Sequence, residues 1–124
     1  MANSPLKVKS SISFFSNQSK VESAVQRATE KALEICGGKA ETYAKLICPV
    51  RTGNLKNSIT HEQSTQEVNT ELIGSDVEYA PYVELGHMTS SGSFVSPKPY
   101  LKPAVENHKK EYQKIWENEL KNIK

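Results

Sequence analysis

The sequence predicts an α+β domain: a small antiparallel sheet flanked by a long N-terminal helix and a C-terminal helix. Three observations carry this. Leu6, Val8, Ile12 and Phe14 share one parity, with Lys7, Lys9, Ser11 and Ser13 on the other, the period of a half-buried strand. Apolar residues from Val21 to Ile47 recur about every 3.6 positions, and a second such stripe runs from Leu101 to Ile123. At 124 residues the chain has the length of a single domain, 1–124, with a modest core. Its hydrophobic content of 36% is lean for an isolated globule, so part of its burial is expected from neighbouring molecules.

The elements follow in order. The first helix is expected over about 19–47, on Val21, Ala24, Val25, Ala28, Ala32, Ile35, Cys36, Ala40, Tyr43, Ala44 and Ile47, with Ser19 as its N-cap. Gly37 and Gly38 should kink or break it, because two glycines weaken a helix by about 2 kcal/mol relative to alanines. Pro49 ends it, since the residue before a proline is driven out of helical geometry. In "RTGNLKNSI", Gly53 supplies a turn, and Leu55 and Ile59 return to the core. Short polar strands are expected within about 58–75, at a sheet edge or paired outside the chain. "YAPYVELG" reads as a helical turn terminated by Gly86. The Ser-, Gly- and Pro-rich loop 87–98 is long for a small domain, the mark of a binding or assembly element. The closing helix is expected over about 100–121, with Pro103 in its first turn.

Charge is unevenly spread. From Asn57 to Pro97 there is no Lys or Arg, while Glu62, Glu67, Glu71, Asp76, Glu78 and Glu84 supply six negatives. The flanking segments are net basic, which favours a dipolar subunit whose acidic part faces a neighbour's basic part. No apolar run reaches the roughly 20 residues that a membrane-spanning helix needs. The opening "MANSPLKVKSS" lacks an apolar core for a secretory signal, so a cytosolic chain is expected. Cys36 and Cys48 are expected as buried thiols with no disulfide.

Glu84 and His87 stand three apart, but a metal site needs further ligands, and only His61 and His108 remain. There is no HExxH pair, no G-x-S-x-G nucleophile and no glycine-rich phosphate loop. The lysines of the closing helix alternate with glutamates, unlike a phosphate track. The expectation is therefore no catalytic residues, no cofactor and no metal. The weaker alternatives are a small metal-dependent hydrolase using His61, Glu84 and His87, or a DNA-binding module.

Three motifs, "CPVRTGNLKNSI", "YAPYVELGH" and "PKPYLKPA", together give a resemblance. From about residue 18 to 105 the chain resembles the tail-completion family of long-tailed bacteriophages, small head-to-tail joining or minor tail proteins often carried by prophages. The matching positions are Pro49, Thr52, Gly53, Leu55, Ser58, Ile59, Tyr79, Ala80, Tyr82, Val83, Glu84, Gly86, Pro97, Pro99, Leu101, Pro103 and Ala104. Cys48, Arg51 and His87 depart from the family pattern, where alanine, an acid and threonine are usual. The resemblance implies an α+β fold, a homo-oligomeric ring, expected to be a hexamer, and partners in the tail tube and head connector. It implies a virion protein, held in the host bacterial cytoplasm before assembly, without catalysis, through whose ring DNA passes. A different neck or minor tail component on the same fold is the nearest alternative. In this reading Tyr79, Tyr82 and Leu85 pack the turn onto the sheet. Glu84 caps backbone or meets a basic neighbour, and Gly86 releases the chain into the assembly loop.

Overall fold

A computed structural model describes residues 6–14, 23–49 and 53–123. Strand β1 (Val8–Ser13) is followed by helix α1 (Ser23–Ile47), the short helix α2 (Asn54–Ser58), and strands β2 (Thr60–Gln63) and β3 (Thr70–Ser75). Helix α3 (Ala80–Leu85), the two-residue strands β4 (His87–Met88) and β5 (Phe94–Val95), and helices α4 (Leu101–Glu106) and α5 (Lys109–Lys121) complete the chain. The main sheet has the order β1-β3-β2 and is antiparallel throughout; β4 and β5 form a separate hairpin. This is the α+β architecture expected from the sequence. Among the described residues no helix is long and apolar enough to cross a membrane.

The even positions of β1 face the helices, so Ile12 and Phe14 are buried while Lys9, Ser11 and Ser13 stay exposed. Helix α1 buries Thr29, Ala32, Leu33, Cys36, Gly37, Ala40 and Ala44, a stripe at three- and four-residue steps made mostly of small side chains. That stripe lets α1 lie close to both the sheet and α5. Across the far end, Phe14 stacks on Trp116 with ring centroids 4.5 Å apart, and the Trp116 indole N–H donates to Thr29 Oγ1 at 3.0 Å. Tyr112, buried in α5, donates its hydroxyl to the Ala104 carbonyl of α4 at 2.5 Å.

Several expectations are corrected. Helix α1 runs unbroken through Gly37 and Gly38. Gly37 is there for space: a Cβ on it would lie 2.6 Å from His61 Nδ1 and 2.8 Å from Glu71 Cγ. The strand region opens at Thr60, because Ser58 closes α2 instead. β3 is the central strand and is buried along its whole length, so it is no polar edge. Its polar members are satisfied internally: Thr70 bonds Ser13 at 2.7 Å and Ser75 bonds Ser58 at 2.5 Å. The loop 87–98 carries the β4–β5 hairpin. The closing helix is two helices, with Asn107 and His108 between α4 and α5. The expected cap at Ser19, and positions Arg51 and Thr52, lie outside the described residues.

Candidate functional site

Glu84 organises the region between α3 and α4. Pro81 sits in the first turn of α3, where its missing N–H costs little, and the helix stops at Gly86, whose φ of 78° favours glycine. Six residues place Glu84 on the buried side of this helix. Its Oε1 accepts the backbone N–H groups of Tyr100 and Leu101, both at 2.9 Å, and its Oε2 accepts that of Lys102 at 3.1 Å. These are among the first N–H groups of α4, which have no partner inside their own helix. A carboxylate there satisfies three donors with charge-assisted bonds. Tyr100, fully buried, donates its hydroxyl to the Ala80 carbonyl at 3.1 Å, and the Lys98 N–H reaches the Val83 carbonyl at 2.8 Å. A Cβ at Gly86 would lie 2.8 Å from the Val95 carbonyl oxygen and 2.9 Å from Pro97 Cδ. The motifs "YAPYVELG" and "PKPYLKP" therefore form one stapled unit.

With Ala80 and Glu84 turned inward, the aromatic residues of α3 turn outward. Tyr79, Tyr82 and Leu85 are exposed, Tyr82 by 56% and Leu85 by 69%, which corrects the expectation that they pack onto the sheet. A helix of this length has room for one buried face, and Glu84 with Ala80 takes it. The hairpin exposes apolar side chains of its own. Met88 and Phe94 pair across it and are 62% and 61% exposed, and His87 pairs with Val95 beside the Tyr82 ring, centroids 5.5 Å apart. A groove of about 490 Å³ opens alongside, lined by Pro49, Gly53, Leu55, Tyr79, Tyr82, Val83 and His87, with Asn54 at its wall. His87 Nδ1 is buried there with no hydrogen-bond partner among the described residues.

The other signature positions serve the frame. Gly53, at φ 84°, opens α2; Leu55 is in the core; and the Ser58 hydroxyl contacts the Leu55 carbonyl and Ser75. Pro97 and Pro99 are exposed, Leu101 is fully buried, and Pro103 falls in the first turn of α4. Tyr100 and the hairpin residues Met88 and Phe94 were missed by the sequence reading. The turn residues Ser91-Gly92-Ser93 between Met88 and Phe94-Val95 are the signal that could have found the hairpin.

His61, Glu84 and His87 are not brought together. His61 Nδ1 meets Glu71 Oε2 at 2.7 Å on the inner face of the sheet, and its Nε2 lies 3.9 Å from Glu41 Oε1. Glu84 spends both oxygens on backbone, and His87 sits at the groove. Among the described residues no group of three or more His, Cys, Asp or Glu side chains is arranged to hold a metal. Glu71 is 4% exposed, and burial raises its pKa above the ordinary carboxylate value despite the opposing pull of His61. It is thus no part of an acidic outer surface. Cys36 and Cys48 are free and buried, as expected. Burial first, with Glu111 and Glu71 adding to it, pushes the Cys36 thiol up to about 12, which leaves it protonated and unreactive at neutral pH. No protein-family model, curated protein or solved structure matches the chain.

Proposed function

We propose that this chain is a non-enzymatic structural protein of a bacteriophage or prophage that completes the tail or joins it to the head. It works as an oligomeric ring in contact with tail-tube and head-connector proteins, with DNA passing through. It acts in the tail or neck of the virion after folding in the host cytoplasm. The observation that carries this reading is the number of exposed large apolar side chains within α3, its N-cap and the hairpin: Tyr79, Tyr82, Leu85, Met88 and Phe94. Apolar residues concentrated in this way on a small chain mark a protein interaction surface, and aromatic residues and methionine are those enriched in interface cores. The three motifs that resemble the tail-completion family converge on the same region. Two of them are joined by Glu84, and Pro49, Gly53 and Leu55 of the third line its groove.

Co-sedimentation with purified tail tubes tests the reading. The intact chain is expected to travel with the tubes, and Tyr82→Asp with Phe94→Asp to remain in the supernatant while keeping its circular dichroism. A double variant that binds tubes as the parent does would contradict it.

A further inference from the structure

Among the described residues the main sheet ends on two unpaired edges, and they are different. In the order β1-β3-β2 each outer strand is paired on one side only among the described residues. The Phe14 N–H reaches the Asn69 carbonyl at 2.9 Å, so the alternation of an antiparallel ladder turns the N–H and C=O groups of Ser11 and Ser13 away from β3. The Ser64 N–H reaches the Thr70 carbonyl at 2.8 Å, which turns those of His61 and Gln63 outward on the opposite edge. Open edges are templates for another strand.

Their charges are opposite. β1 carries Lys9 and is preceded by Lys7, whose contact with Glu78 is 4.0 Å long and mostly exposed. β2 carries Glu62 and is followed by Glu67, within the stretch that has no Lys or Arg. Lys9 and Thr60 both pair with Gly74, and Ser11 and Glu62 both pair with Leu72, so Lys9 and Glu62 rise on the same face of the sheet. A basic edge and an acidic edge on one sheet, with their charges on one face, complement each other between copies.

Resting on the assembly reading above, we infer that sister copies join through these edges, β1 of one copy beside β2 of the next. The contact is heterologous, because each copy offers two unlike edges, and such a contact propagates until its rotation closes a ring. One sheet then continues from subunit to subunit, with Lys9 of one copy near Glu62 of its neighbour. The α3 and hairpin surface stays free for other virion proteins.

Ser11→Pro tests the inference in the full chain. A proline is tolerated on an edge strand where the N–H faces solvent, yet it removes the donor that an incoming strand needs. The parent chain is expected to give oligomers by light scattering, and Ser11→Pro to stay monomeric with an unchanged circular dichroism spectrum. Lys9→Glu and Glu62→Lys cover the case in which the proline variant fails to fold. Each alone should weaken self-association by about ten-fold at low salt, and together they should restore it to within about three-fold of the parent. Oligomers that survive Ser11→Pro, or single charge variants that associate as the parent does, would overturn edge pairing alone. A parent chain that stays monomeric at every concentration and beside tail tubes would overturn both this inference and the assembly reading.

Discussion

At the residue scale, Glu84 and Glu71 show how differently two buried carboxylates can be used. Glu84 meets three N–H donors at the start of α4, and its removal leaves them without a partner in a buried place. Glu84→Ala is expected to lower stability by about 2–4 kcal/mol, read from urea unfolding. Glu84→Gln should lie between, because its amide N–H₂ cannot accept the Lys102 bond. Glu71 has one neutralising neighbour, His61, and burial outweighs it. Its pKa is raised in the folded chain, so the stability it contributes is fully present below the unfolded value of 4.5 and is lost as pH rises through the folded one. Glu71→Gln keeps an acceptor for His61 and has no charge to bury. It should melt higher than the parent near neutral pH, with the gap closing toward pH 4.5; a parent that melts at the same temperature as the variant across this range would contradict the assignment.

At the element scale, the two glycines of α1 separate what sequence shows from what packing decides. Both read as helix breakers, because local propensity is all that a single chain offers. The structure gives them different work: a Cβ on Gly38 meets only His61 Nε2, at 3.9 Å, whereas one on Gly37 would overlap His61 and Glu71. Gly38→Ala is therefore expected to stabilise by up to about 1 kcal/mol. Gly37→Ala should destabilise by about 1–3 kcal/mol despite its better helix propensity. Opposite signs in thermal melts support the close seat of α1 on the sheet; equal gains would contradict it. The strands and long helices were legible because their apolar periods are strong. The split between α4 and α5 was not, since the apolar stripe runs on through Asn107 and His108. Nor was the place of β3, whose Thr70, Glu71 and Ser75 look like surface residues until their partners Ser13, His61 and Ser58 come from elsewhere in the chain.

At the scale of the whole molecule, a frame built on Glu84, Tyr100 and Gly86 holds an apolar surface outward. The motifs made that region visible in the sequence, and Glu84 was expected to meet either backbone or a basic neighbour; it meets backbone. Which of its residues face inward was hidden, because a six-residue helix has too few turns for a period to declare its buried side. The surface residues should carry assembly rather than stability: Phe94→Asp is expected to shift unfolding free energy by less than about 0.5 kcal/mol, as exposed substitutions do. The most direct measurement of the proposed role is a count, by electron microscopy, of joined and separate heads and tails in lysates of a phage that carries the gene for this chain. With the gene deleted, or with Tyr82→Asp and Phe94→Asp together, heads and tails are expected to accumulate unjoined, and the parent gene to restore whole particles. Whole particles at the parental level without the gene would contradict the account.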